Sequence, residues 1–407
     1  MMKVEVLEKE SGMYKKILSF TLFIILFFTF AFPVYGAANN EPKVEAQAAI
    51  LIEADTGRIL WEKNAHEPKA MASTTKIMTC ILALESGKLD DVVTVSQRAA
   101  RAPEVKLRLK VGEKQRLEDL LYALMMKSSN DVAVAIAEHL SGSVEAFCEK
   151  MTQKARELGA KNTVFKTPNG LDANGHQSTA YDLALITRYA MKNPKFVEII
   201  NTKQITIPKE GNYRSYYLSN TNRFLNEYPG ANGVKTGYTG KAGYCFVCAA
   251  KQNGMQLISV VLASGWGARG KEQKWIDTKR LMNYGFQNYK KICLLEKNKL
   301  LKTIPVERAK ETSVSLYTDK TIVSVLSEEE KSKVQIKIDV PQSVEAPVTQ
   351  GEEIGTAKVL LGNEIIGTVP LVADRNIERH DFPTSIKKVL NNWLRLTKYG
   401  IIIGEKE

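Results

Sequence analysis

The sequence predicts an α+β chain of two domains, on three observations. Period-two strands lie at both ends of a long helical segment, 407 residues give room for more than one core, and the texture changes near residue 290. Residues 48–53 and 58–62 form the first hairpin, split by Asp55-Thr56-Gly57. Helices follow, and strands return after Gly237: the run Tyr244, Cys245, Phe246, Val247, Cys248, a turn at Gln252-Asn253-Gly254, then Leu257 to Leu262. Asn-Gly between two such runs marks a hairpin. A helical stretch around residues 275–289 closes the domain, and strands from both ends imply one sheet with helices on its faces. From residue 291 to 379 short alternating runs (314–316, 321–323, 334–338, 357–359, 365–369) read as a small all-β domain with no catalytic constellation.

The two ends carry different signals. Lys15 and Lys16 precede an uncharged run from Ile17 to Phe32, then Pro33 and the small residues Gly36, Ala37 and Ala38. That is the pattern of a secretory signal over residues 1–38. The competing reading is an uncleaved anchor, but the run is short for a span of about twenty residues. At the other end, over 384–404, Ile386, Val389, Leu390, Trp393 and Leu394 fall at i, i+3, i+4, i+7 and i+8, with Lys387, Lys388, Arg395 and Lys398 mostly off that stripe and residues 401–403 all isoleucine. A basic amphipathic helix bearing a tryptophan suits a bilayer interface; a helix docked on its own domain is the alternative.

Net charge is +12. Outside the cytoplasm such a chain would meet anionic lipid and acidic wall polymer. No nucleic-acid motif accompanies the charge, so no nucleic-acid partner is expected. Of the five cysteines, Cys80, Cys148, Cys245 and Cys248 sit in apolar surroundings that suit buried thiols. Cys245 and Cys248 are three apart on a strand, hence on opposite faces, and no second pair completes a zinc spacing; neither a metal nor another cofactor is expected.

Three short segments carry chemistry. Ser73-Thr74-Thr75-Lys76 sets a hydroxyl and an amine three residues apart at a helix start, so the Lys76 amine can reach the Ser73 oxygen and activate it. Alone, it is equally an N-cap serine and a surface lysine. Ser128-Ser129-Asn130 follows the helical face of Leu117, Leu120, Leu121, Leu124 and Met125 and precedes a helix ended by Gly142, which places Ser128 and Asn130 on a tight connection. Lys235-Thr236-Gly237, then Tyr238, enters the strand region, and the glycine permits close ligand approach.

Together and in this order the three segments resemble the S-x-x-K, S-x-N, K-T-G signature of penicillin-binding proteins and serine β-lactamases. Ala49-Ile50-Leu51-Ile52-Glu53-Ala54-Asp55-Thr56-Gly57, Phe165-Lys166-Thr167-Pro168-Asn169-Gly170-Leu171-Asp172 and His176-Gln177-Ser178-Thr179-Ala180 extend the likeness. From about Val44 onward the chain resembles the low-molecular-mass D-alanyl-D-alanine carboxypeptidases, including the sporulation-type members of Gram-positive bacteria. The resemblance implies a β-lactamase/transpeptidase-like catalytic domain (antiparallel sheet flanked by helices) over residues 44–289, and a β domain that acts as a spacer from a membrane anchor. It also implies that Ser73 acylates on a peptidoglycan stem pentapeptide and releases D-alanine, with β-lactams as covalent inhibitors, at the extracytoplasmic face of the cell membrane. The implied roles are Lys76 as base, Ser128 as proton relay and Asn130 holding the substrate amide. Lys235 and Thr236 would take the terminal carboxylate, and the Ser73 and Tyr238 N–H groups would form the oxyanion hole. A β-lactamase and a non-catalytic peptidoglycan-binding protein are the rival readings. Arg223 stands near a carboxylate-binding position in uncertain register, and His176 reads as a loop histidine capping backbone.

Overall fold

The computed structural model describes residues 41–208, 211, 213–380 and 382–400; the expected signal at 1–38 and the isoleucines 401–403 lie outside the described residues. The sheet of the first domain has five strands, β1 (Ala48–Glu53), β2 (Ile59–Lys63), β3 (Ala231–Thr239), β4 (Gly243–Gln252) and β5 (Met255–Leu262), in the spatial order β2-β1-β5-β4-β3. Every pairing is antiparallel. The sheet therefore joins the N-terminal hairpin to strands nearly 200 residues later, which is how the two ends of the domain share one core.

All six residues of β1 are buried, so both faces of the sheet are covered. Side chains alternate between two cores, as a strand of period two requires: Ile50 and Ile52 pack with the helical layer, while Leu51 packs with Phe246, Leu257, Trp275 and Leu281. The helical layer is built around α1 (Lys76–Glu85), which buries seven of its ten residues and is enclosed by α2 (Leu117–Met126), α3 (Asn130–Ser141), α4 (Val144–Glu157) and α5 (Ala180–Ala190). Leu117, Leu120, Leu121 and Leu124 are all buried, as their spacing predicts, and Gly142 ends α3 in the left-handed conformation, φ +75°. The opposite face is covered by α6 (Gly267–Asn288), which begins eight residues before the expected helical stretch. Gly270 packs directly on Gly265, and only the missing side chains let the helix start there. The Asn253-Gly254 turn has both residues at positive φ, +48° and +75°, as a tight hairpin needs.

The second domain is all-β. Six strands run in the order Val334–Asp339, Glu353–Leu361, Glu364–Ala373, Ser313–Thr318, Leu300–Glu307, Val344–Glu345, and a separate pair joins Lys290–Leu295 to Ile322–Leu326. Val314, Leu316, Val359, Val369 and Leu371 centre a core of its own. It is fastened to the first domain by Arg58, which donates to Glu330 and to the Val325 carbonyl, and by Lys291 paired with Asp55 at 2.7 Å. The last described element is α7 (Phe382–Gly400). Ile386, Val389, Leu390, Trp393 and Leu394 on it are 44–68% exposed. No helix among the described residues is long and apolar enough to cross a membrane.

A Cβ at position 270 would lie 2.2 Å from the Gly265 carbonyl carbon, a backbone atom that cannot swing aside. Gly270→Ala is therefore expected to lower unfolding stability by about 1–3 kcal/mol, read from urea denaturation.

Candidate active site

The Ser73 turn is one turn of 3-10 helix, Ala72–Thr75, running directly into α1. A 3-10 helix has three residues per turn, so Ser73 stands over Lys76. Lys76 Nζ lies 2.9 Å from Ser73 Oγ, 2.7 Å from Asn130 Oδ1 and 2.5 Å from the Asn169 carbonyl oxygen. Ala72 holds φ +49°, a costly conformation for a residue with a side chain, and it aims Ser73 out of the turn.

Two neighbouring segments hold this turn. Gly170, at φ +86°, abuts it so closely that a Cβ would fall 2.0 Å from the Ala72 carbonyl oxygen. Gly237 on β3 does the same from the sheet side, where a Cβ would sit 2.8 Å from the Ser73 amide nitrogen. Beneath it, His176 caps backbone as expected: its Nδ1 accepts from the Lys166 N–H at 3.0 Å, leaving Nε2 2.9 Å from Thr75 Oγ1. Burial depresses His176 to about 4, so it is neutral and donates to Thr75.

The Ser128–Asn130 segment enters between α2 and α3. Ser128 is left-handed at φ +63°, and Ser129 returns to extended backbone as the N-cap of α3. Asn130 is oriented from both ends of its amide: Oδ1 faces Lys76, and Nδ2 donates to the Pro103 carbonyl at 3.2 Å. Asp131 accepts from the Leu107 and Leu109 N–H groups at 2.9 and 3.0 Å, which pins the facing loop.

The third segment lies on the free edge of the sheet, since β3 pairs only with β4. Along it Lys235 and Gly237 face the helical layer, while Thr236 and Tyr238 face α6. Ser73, Ser128, Thr236, Gly237 and Tyr238 line one cleft of about 500 Å³. Lys235 is 1% exposed and donates to the Thr236 carbonyl at 2.9 Å. Of the eight predicted residues, then, Ser73, Lys76 and Asn130 are in direct contact, four more share the cleft wall, and Lys235 is buried beside them.

Electrostatics separates the two lysines from ordinary ones. Lys76 is fully buried, and desolvation first, then the charge of Lys235, hold its ammonium well below the usual lysine range against a smaller opposing pull from Asp131. Burial alone brings Lys235 down to about 7.

Other cleft features were not assigned from sequence. Asn169 acts through its backbone carbonyl, which no side-chain chemistry advertises; the Pro168-Asn169-Gly170 turn was its only signal. Arg223 lines the cleft but is paired with Glu272 at 2.7 Å and Glu227 at 3.1 Å, and its guanidinium lies 5.0 Å from the Trp275 ring. Lys274, on α6, also reaches the cleft and had no distinguishing sequence context.

With this geometry in place, comparison with known proteins is direct. The sequence profile described as D-alanyl-D-alanine carboxypeptidase matches residues 36–265, and that of the penicillin-binding protein 5 C-terminal domain matches 289–379. The chain is 35% identical to D-alanyl-D-alanine carboxypeptidase DacF of Bacillus subtilis, over 94% of this chain and 99% of the relative. It is 31% identical to DacC of Escherichia coli, over 91% and 94%. Among solved structures, penicillin binding protein 5 of Haemophilus influenzae superposes with a TM-score of 0.68 at 29% identity, covering 83% of this chain and 99% of that one.

The buried amines yield a stability prediction. A lysine whose folded pKa lies below its unfolded value costs stability wherever the unfolded chain holds the extra proton, so stability rises with pH between the two values. For Lys235 that window runs from about 7 up to the ordinary lysine value of 10.5. Lys235→Met should raise the thermal unfolding midpoint at pH 7, and the gain should shrink as the pH approaches 10.

Matched across both its domains and along nearly its whole length, the chain belongs to the D-alanyl-D-alanine carboxypeptidase family of serine peptidases.

Proposed function

We propose that Ser73 is the nucleophile of this carboxypeptidase and that Lys76 is the base that activates it. The supporting observation is the hydrogen-bond count around Lys76. A neutral amine has two N–H donors and one lone pair. The Asn130 and Asn169 oxygens take the two N–H groups, and the lone pair is left facing the Ser73 hydroxyl. Ser73 then attacks the carbonyl of the terminal D-Ala-D-Ala bond of a peptidoglycan stem pentapeptide, the bond to the leaving D-alanine nitrogen breaks, and water later releases the shortened peptide. The proton taken from Ser73 passes to the leaving amine, with Ser128 on the cleft wall as its relay.

Asn130 anchors Lys76 and presents its amide to the substrate. Lys235 and Thr236 receive the terminal carboxylate, a charge-assisted contact. The Ser73 and Tyr238 N–H groups form the oxyanion hole, a reading supported by the near contact of Gly237 with the Ser73 nitrogen. One such donor is worth about a hundredfold or more in turnover. The free edge of β3 suits a substrate backbone laid alongside it as an added strand. Among the described residues no carboxylate hydrogen-bonds Ser73 or Lys76, which disfavours the fast deacylation of a β-lactamase. β-Lactams act here as long-lived covalent inhibitors.

We further propose that residues 1–38 export the chain, that 44–289 form the catalytic unit and 291–379 the spacer, and that 384–404 lie on the outer face of the cell membrane. The exposed apolar stripe of α7 supports the last point, because a helix docked on its own domain would have covered it.

Two measurements test these readings. After penicillin treatment, intact mass and peptide mapping should place one adduct on Ser73, and Ser73→Ala should lose D-alanine release by ~10⁴-fold or more; release that persists in the variant, or an adduct elsewhere, refutes the assignment. Truncation before Thr384 should move the protein from the membrane pellet to the supernatant, and unchanged sedimentation removes the anchor.

A further inference from the structure

A second hollow, of about 250 Å³, adjoins the cleft and takes no part in the proposed reaction. One turn of chain separates the two. Thr221 and Arg223 line the cleft, while Asn220 and Asn222 line the hollow, so the 220–223 segment is their common wall. That wall is held firmly. The N–H and Oγ1 of Thr221 both donate to the Met126 carbonyl at 3.1 Å, two residues before Ser128. Asn220 Nδ2 donates to the Thr202 carbonyl at 2.9 Å, and its Oδ1 accepts from the Asn222 N–H at 2.9 Å. The hollow is therefore preformed, as a small-molecule site usually is.

Its lining is nearly all of one chemical kind. Asn222 and Leu225 are buried in it, Ser219 and Asn220 are half-buried, and Lys203, Gln204 and Asn226 are exposed at its mouth. Carboxamides and a hydroxyl offer donors and acceptors without charge. No acid lines the hollow among the described residues, and its one cation stands at the mouth. Asn222 is 4% exposed; its Oδ1 accepts from the Phe224 N–H at 3.2 Å, but its Nδ2 has no hydrogen-bond partner among the described residues. A buried amide normally has its donors satisfied. Two free N–H donors beside the apolar Leu225 match an acetamido group, whose carbonyl oxygen accepts and whose methyl needs apolar cover.

The strand pair Gln204–Ile207 and Tyr216–Ser219 carries the site outward. Gln204 is the cross-strand partner of Ser219, and Thr206 that of Tyr217. Ile207 and Leu218 are buried, so these four residues share the outer face. Tyr217 is 64% exposed and stands about 7 Å along the strand from Ser219. A bare aromatic face beside a row of amides and hydroxyls suits the C–H face of a sugar ring.

We propose that this hollow binds an N-acetylated sugar of the peptidoglycan glycan, with the acetamido group on Asn222 and Leu225 and a neighbouring ring on Tyr217. The proposal rests on the reading of peptidoglycan as the substrate and adds a glycan site to the peptide site. Glycan held beside the cleft raises the local concentration of the stem peptides it carries.

The binding test uses the full chain carrying Ser73→Ala, so it does not depend on catalysis. Its probes are chitotetraose and cellotetraose, which share a backbone and differ in the acetamido group. By titration calorimetry, chitotetraose should bind at least about tenfold more tightly than cellotetraose. Asn222→Asp keeps the oxygen that caps Phe224 and, at pH 8, presents a carboxylate in place of the two donors; it should weaken chitotetraose binding by about tenfold or more. Tyr217→Ala, at an exposed position, should weaken it by about threefold or more. No binding, equal binding of the two probes, or unchanged binding in Asn222→Asp overturns the proposal, and unchanged binding in Tyr217→Ala removes the second ring. An activity test distinguishes the source of the sugar. With Ser73 intact, the preference in kcat/KM for glycan-linked over soluble pentapeptide should fall about fivefold or more in Asn222→Asp, through KM. An unchanged preference with chitotetraose binding lost would give the hollow to another N-acetylated polysaccharide and overturn its role in the substrate. A wild-type chain that released no D-alanine from either substrate would instead refute the Ser73 reading, and the binding test would still decide this one.

Discussion

Desolvation of the Lys76 amine is the constraint on which the rest of this molecule depends. A solvated lysine is protonated at neutral pH and has no lone pair to offer a hydroxyl. Placing Lys76 as the first residue of a helix that buries seven of its ten residues removes the water that would keep it charged. Lys235 adds a second push in the same direction from the adjacent strand. The surrounding architecture follows from the need to satisfy a buried amine without neutralising it with an acid. Two amide-type oxygens, one from the Asn130 side chain and one from the Asn169 backbone, accept hydrogen bonds and carry no full charge. A carboxylate in either place would favour the ammonium.

Those two oxygens come from segments some 40 residues apart, and each is fixed by means that have no other purpose in the core. Asn130 is held through the Pro103 carbonyl, and its backbone N–H donates to the Val105 carbonyl at 2.7 Å. Asn169 is fixed by the abutment of Gly170 on the Ser73 turn. The same region stores backbone strain at Ala72 and Ser128, both at positive φ. Strain of this kind costs about 1–3 kcal/mol per residue and persists only where surrounding contacts over-determine it. Here they do: β3, the 167–171 turn and the loop pinned by Asp131 close on the turn from three sides.

The parts legible in the sequence were those in which side-chain chemistry and local spacing coincide. Ser73 and Lys76 are one helical turn apart; the Asn253-Gly254 hairpin and the Gly142 helix end are written in residues that few other conformations favour. The opposite faces of Cys245 and Cys248 followed from strand period alone, and the two thiols do lie in different cores. What escaped was decided by distant partners. The Lys114–Arg116 strand, which pairs with Val92–Thr94, is wholly polar, and only its pairing makes it a strand. The start of α6 at Gly267 depends on the contact between Gly265 and Gly270. Lys274 sits in a stretch that reads as a solvated helix face, and its burial comes from Tyr244 and Trp275 closing over it, one of them thirty residues earlier.

Three buried lysines lie at this cleft, and their chemistry is divided by depth and by company. Lys76 is the deepest and is held well below its usual range; Lys235 comes down to about 7 and Lys274 to about 8, each mainly by burial. An incoming carboxylate would raise all three, because its charge favours every nearby ammonium. The effect is graded by distance, so on the proposed docking the proton is taken up at Lys235, beside the carboxylate, before it reaches Lys76. Once Lys235 is fully charged, its repulsion of a second ammonium at Lys76 is at its greatest. One residue type thus supplies both the anion receptor and the proton acceptor in the proposed steps.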